Sequence, residues 1–165
     1  MNYFFTYLTS AMQNSLFFLL LLFSSFTIQP ADTLSGKVIG IKDGDTIDIL
    51  YNGNKLTVRL AHIDCPEKKQ PFGQAAKKFM SDNCYDQVVT IQHKNEYDRN
   101  KRLIGEVINV KGENLNKELI KAGLAWHYKK YSTDTVYAKL ELVARKQKAG
   151  LWAYPGAVAP WEWRK

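Results

Sequence analysis

Apolar residues change their spacing several times along this chain, and each spacing predicts an element. Val38 to Ile41 is a short apolar run that turns at Asp43-Gly44. Ile47, Ile49 and Tyr51 alternate with Asp48 and Leu50, and Asn52-Gly53 follows as a hairpin turn. Leu56, Val58 and Leu60 then alternate with Thr57, Arg59 and Ala61, the mark of a half-buried strand. Together these segments predict a β-meander. After Gln70-Pro71 the period lengthens. Phe72, Ala75, Ala76, Phe79, Met80 and Cys84 fall on one helical stripe. Val88 to Gln92 and Leu103 to Val110 return to strand, the second ended by Lys111-Gly112. Asn114 to Ala122 predicts a short helix closed by Gly123. Thr135 to Ala149 predicts a longer one, with Asp134 as N-cap, Gly150 as terminator and Lys139, Arg145, Lys146 and Lys148 on a cationic outer face. Pro155 to Lys165 is irregular, rich in Trp, and predicts a strap that packs back. Five strands with a helix inserted after the third point to an α+β domain built on a small closed barrel of OB type. Strand count alone leaves another α+β topology open.

The N-terminus departs from this pattern. Residues 1–31 carry no charged side chain, and Leu16 to Phe23 is an unbroken apolar run. A spanning helix needs about 20 apolar residues. The run therefore suits an export signal, with small residues at Ser24, Ser25 and Ala31; an uncleaved anchor is the alternative. Either Met1 or Met12 can serve as the start. The expected organisation is a leader over 1–31 and one domain over 32–165, released to periplasm or medium. The whole net charge of +7 then falls on the domain, which suits a polyanionic partner. Cys65 and Cys84 match no zinc or redox spacing. They can pair after export or remain buried thiols.

Candidate chemistry lies in three charged knots. The first is the turn Asp43-Gly44-Asp45-Thr46. The second is Arg59 through Asp64-Cys65-Pro66-Glu67, where a strand meets a loop. The third is Asp98-Arg99-Asn100-Lys101-Arg102. Asp45 and Asp64 are oxygen donors suited to a hard cation, Arg59 and Arg102 can clamp a phosphate, and Glu67 can act on water. Strict alternation places Asp64 opposite Arg59, so they share a site only if the strand ends or bulges near His62. His62, His93 and His127 have no mutual spacing of metal ligands and are expected to be structural or exposed. In Trp126-His127-Tyr128-Lys129-Lys130-Tyr131, rings for stacking interleave with cations for phosphates. Equally, those rings can cover one end of the barrel.

The order of these blocks, with Gly123-Leu124-Ala125 and Gly150-Leu151-Trp152 after them, resembles the staphylococcal (micrococcal) nuclease family from Ser35 to about Trp163. The resemblance implies a five-stranded OB-fold barrel with three helices. It also implies a calcium-dependent hydrolase that acts on DNA and RNA and leaves 3′-phosphate ends. By position, Asp45 and Asp64 correspond to the metal carboxylates and the Cys65 carbonyl to a backbone ligand. Arg59 and Arg102 correspond to the phosphate-binding arginines, and Glu67 to the glutamate that activates or positions water. Tyr128, Lys129 and Tyr131 are the expected substrate contacts. The family strand breaks just before the second aspartate, which would bring Arg59 and Asp64 together. Where the family reads Asp-x-Tyr-Gly-Arg, this chain has Asn100 and Lys101 before Arg102, so the turn that aims Arg102 is made of different residues. A noncatalytic nucleic-acid-binding OB module is the rival reading, and a monomer the default state.

Overall fold

Inward branched side chains and outward polar ones run along each strand, and the sheet they form curls until it closes. The computed structural model describes residues 32–165; the expected leader over 1–31 lies outside the described residues. The elements are β1 (Asp32–Ile41), β2 (Thr46–Tyr51), β3 (Asn54–Leu60), β4 (Ile63–Asp64), α1 (Gly73–Cys84), β5 (Val88–Tyr97) and β6 (Leu103–Ile108). Then follow α2 (Leu115–Lys121), β7 (Trp126–His127), α3 (Thr135–Lys146), a 3₁₀ turn (Gly150–Ala153) and α4 (Pro160–Trp163). The closed barrel runs β1-β2-β3-β6-β5. All pairings are antiparallel except β3 with β6, which pair in parallel from Val58↔Leu103 to Leu60↔Gly105. β4 and β7 form a separate two-stranded ribbon. This is an α+β OB-type barrel.

The barrel interior holds Val38, Ile47, Ile49, Val58, Leu60, Val89, Ile91, Leu103 and Val107, all buried. These are the alternating positions of the strands, as half-buried sheets require. Ala76, Met80 and Cys84 of α1 and Leu115, Leu119 and Ile120 of α2 join the same core. A second, smaller core gathers Trp126, Leu151 and Ala159, with Phe72, Trp152 and Trp161 packed on it.

Several boundaries differ from the sequence expectation. α1 begins at Gly73, after Phe72 in a left-handed conformation, and not at Gln70-Pro71. The Gln70 side chain instead ties two loops: Oε1 accepts from the Glu67 amide at 3.0 Å, and Nε2 donates to the Val158 carbonyl at 2.6 Å. α3 keeps Asp134 as its cap but ends at Lys146. Arg145 does not belong to a free cationic face. Its guanidinium lies 3.6 Å from the Trp152 ring centre and pairs with buried Glu141 at 3.1 Å. The C-terminal strap packs back as expected, but Pro160–Trp163 is helical, because Pro at the first helical position fixes a helical φ and loses no bonded amide. Cys65 and Cys84 are free and buried. Burial holds the Cys65 thiol well above its ordinary range and pushes Cys84 up to about 12. Among the described residues no helix is long and apolar enough to cross a membrane.

Candidate active site

The strand that carries Arg59 stops one residue later. β3 ends at Leu60, and His62 takes a left-handed conformation at φ 68°. That conformation is uncommon outside glycine. Here it is held by a 2.8 Å bond between His62 Nδ1 and Ser132 Oγ, by stacking on Tyr137, and by the His62 carbonyl accepting from the Tyr128 amide. The chain resumes in β4, where Asp64 pairs with Trp126. This break overrides the alternation and brings Asp64 to the same side as Arg59.

The acidic turn reaches the same point from β2. Asp45 Oδ2 lies 3.2 Å from Arg59 Nη2, and Asp64 Oδ1 lies 2.9 Å from that same nitrogen. Asp45 Oδ2 also accepts from the Cys65 amide at 2.7 Å. Two carboxylates nineteen residues apart in sequence therefore converge on one guanidinium group. Gly44 makes this possible through its size. A Cβ there would lie 2.6 Å from Ala76 Cβ and 2.9 Å from Cys65 Cβ, so any side chain would push the acidic turn off the Cys65 segment. Gly73 plays the same part for the Glu67 loop, since a Cβ there would overlap the Glu67 carbonyl.

Arg59 is largely buried and fully engaged on its terminal nitrogens. Nη1 donates to the Leu60 carbonyl at 2.6 Å and the Ile63 carbonyl at 2.9 Å, and Nη2 serves the two carboxylates. Arg102 stands on the neighbouring strand edge. Nη1 donates to Thr46 Oγ1 at 3.1 Å, and Thr46 in turn donates to Asp45 Oδ1. Its aim is set by Asp98, which pairs with Nη2 at 2.6 Å and also accepts the Asn100 and Arg102 amides. Lys101, in the position where the family pattern has Gly, adopts φ 60° and completes the same turn. Its amide donates to the Asp98 carbonyl at 2.9 Å, so a lysine occupies the left-handed position of this turn.

Negative charge is in excess. Burial, and after it the Asp45 carboxylate, pushes Asp43 up to about 6. Burial likewise holds Asp64 above the usual carboxylate range, against the opposing hydrogen bond from Arg164. Crowded hard-oxygen donors whose ionised forms repel one another are the donor chemistry of a divalent cation. Among the described residues no three His, Cys, Asp or Glu side chains are arranged to hold a metal. An ion here would rest on two carboxylates, with backbone, water and substrate oxygens completing its shell. Calcium, bound through many oxygens in flexible geometry, tolerates such a set.

Glu67 lies at the rim, 40% exposed, and its carboxylate meets Arg164 Nη1 at 2.6 Å. Arg164 also meets Asp64 Oδ2 at 2.7 Å. The sequence reading missed this residue. It stands a hundred positions from Asp64, and only the Trp-rich strap hinted that the C-terminus returns. The expected substrate contacts differ among themselves. Tyr131 is 70% exposed. Tyr128 has one face covered by Trp161, parallel at 5.3 Å, and so is not an open platform. Lys129 extends into solvent but lies 3.9 Å from buried Glu141. His62 and His127 share Ser132 Oγ and are held by structural contacts.

Comparison with known proteins identifies the family. Residues 57–154 match the family described as "Staphylococcal nuclease homologue". A Haemophilus influenzae protein named "Uncharacterized endonuclease" is 40% identical over 148 residues, covering 89% of this chain and 82% of its own length. An Escherichia coli O157:H7 protein of the same name is 38% identical, covering 88% of this chain and 94% of its own length. The "Micrococcal nuclease" of Shigella flexneri is 39% identical over 140 residues, covering 79% of this chain and 80% of its own length. With its closed barrel and a family match over more than half its length, the chain belongs to the family of staphylococcal nuclease homologues.

Proposed function

We propose that this protein is an exported, calcium-dependent nuclease that hydrolyses DNA and RNA and leaves 3′-phosphate ends. The endonuclease and nuclease names of its relatives support phosphodiester hydrolysis. The observation that carries the reading is the meeting of Asp45 and Asp64 at Arg59, with Arg102 and Glu67 on the same rim. Asp45 and Asp64 would hold the cation, with the Cys65 carbonyl as a backbone donor. Once bound, the ion supplies Lewis-acid polarisation of a phosphoryl oxygen. Arg59 fixes both carboxylates through Nη2, and that nitrogen would be free for a phosphate oxygen once a cation took up their charge. Arg102, linked to Asp45 through Thr46 Oγ1, would approach the phosphate from the neighbouring strand edge, and both cations would stabilise charge that grows on it. Glu67 receives the proton of the attacking water or aligns it in line with the departing 5′ oxygen. Tyr131 offers a ring for a base, and Lys129 a cation for a neighbouring phosphate. Tyr128 supports Tyr131, whose ring meets its edge at 4.9 Å. Export rests on the uncharged leader with its apolar run. No partner protein is needed by this scheme, and a monomer suffices.

The test is cleavage of plasmid DNA and of RNA by the purified protein, with calcium or with chelator. Cleavage of both with calcium alone is expected. The products should carry 5′-hydroxyl ends, which a polynucleotide kinase labels without prior dephosphorylation. Salt-sensitive retention on nucleic acid without cleavage would instead identify a binding module.

A further inference from the structure

The two guanidinium groups at the carboxylates are held very differently. The Arg59 side chain is 13% exposed and bonded to two carbonyls and two carboxylates. The Arg164 side chain is 42% exposed, and its bonds at the site are to the Asp64 and Glu67 carboxylates alone. One is built into the fold; the other rests on its surface. Arg164 caps α4, one turn long, through its amide to the Pro160 carbonyl. The strap that delivers it is seated independently. Gln70 binds the Val158 carbonyl, Trp161 packs on Tyr128 and Trp126, and Trp163 lines a cavity of about 570 Å³ with Phe72 and Pro66. The last turn can therefore release Arg164 while the strap stays attached.

We infer that Arg164 is an internal cation that competes with a divalent metal for Asp64 and Glu67, so that its guanidinium holds these carboxylates closed until the ion displaces it. This rests on the reading of Asp45 and Asp64 as metal carboxylates. The guanidinium neutralises one metal carboxylate and the water-activating glutamate at once. A bidentate fork suits this bridging because its nitrogens reach two carboxylates in one plane. Its exposure makes the contact weak enough to exchange. Calcium entry would then free Glu67 for water in the same event that loads the site.

Calorimetric calcium titration of the protein and its variants, with hydrogen exchange of segment 157–165, tests this. Arg164→Ala and the uncharged, polar Arg164→Gln are expected to tighten calcium binding about five- to tenfold, the scale of one partly exposed charge-assisted contact. Lys165→Ala removes the same charge one residue away, where Lys165 pairs with Glu162 and with no other acid among the described residues, and should change affinity less than twofold. Calcium should also speed exchange at the amides of 163–165 in the parent. Equal calcium affinity in parent and both Arg164 variants would overturn the competition while leaving the calcium reading intact. If neither parent nor variants bind calcium, the underlying reading falls and the competition with it.

Discussion

Arg59 and Glu67 lie within one loop's length of each other but bear on the fold differently. Glu67 is a rim carboxylate whose side-chain partner is Arg164. Arg59 neutralises two buried carboxylates and closes two carbonyls. Glu67→Gln is therefore expected to cost about 10²–10³ in turnover, the scale of one transition-state group, with an unchanged melting temperature. Arg59→Ala should lower activity at least as far and, in chelator, also destabilise the fold by about 3–5 kcal/mol, because it strands buried charge. Thermal melts beside initial rates separate the two. An Arg59→Ala protein that melts with the parent would show that its carboxylate contacts carry no stability. Gly44 makes a related point. In sequence it is one of many turn glycines, and only the packing of Ala76 and Cys65 against it explains why a side chain would separate Asp45 from Asp64.

At the scale of elements, the loop between β5 and β6 is a charged hinge for Arg102. Burial raises Asp98, but hydrogen bonds from the Arg102 side chain and amide outweigh it and hold the carboxyl below its ordinary range. The folded protein thus binds this proton more weakly than the unfolded chain does. The resulting stability is fully present above the unfolded carboxylate range, near 3.8, and is lost as pH falls through the lower folded value. Asp98→Asn should remove about 1 kcal/mol near neutral pH and flatten the acid end of the stability curve. It should also lower turnover, since Arg102 loses the group that aims it. Denaturant melts between pH 2 and 7 would show this; parallel curves for parent and variant would refute it. The β4–β7 ribbon is a second element with a function. Two residues long, it would be negligible alone, yet it fixes Asp64 to Trp126 and so joins the site to the second core.

For the whole molecule, the domain carries the full net charge of +7, and its exposed Lys129, Lys130 and Tyr131 form one cationic, aromatic edge. Sequence-independent affinity for nucleic acid should therefore fall steeply with salt. Each phosphate contact adds about 0.9 to the slope of log affinity against log salt for duplex DNA. The double change Lys129→Ala, Lys130→Ala should reduce that slope by about two while leaving calcium affinity unchanged. Binding isotherms in chelator at several salt concentrations would measure it, and an unaltered slope would place the nucleic-acid track elsewhere.

The barrel was legible in the sequence because strand periodicity is local. Ile47, Ile49, Val58, Leu60 and the Asn52-Gly53 turn declare two strands and their hairpin within a few residues. Asp134 and the stripe from Ala75 to Cys84 declare helices in the same way, although α1 starts three residues later than Gln70, whose side chain is bound to the distant Val158 carbonyl. The residue types of the site were legible too, through the order of the charged blocks. Their convergence was not. Alternation alone separates Arg59 from Asp64; the break at His62, held by Ser132 and Tyr137, puts them together. Arg164 reaches Asp64 because the strap folds back over the second core. The chain's own pattern determined the barrel strands, the three longer helices and the charges available to the site. Tertiary packing decided which charges meet, because a side chain's neighbours across the fold are set by closure of the barrel and burial of its aromatic flank, and no local spacing encodes either.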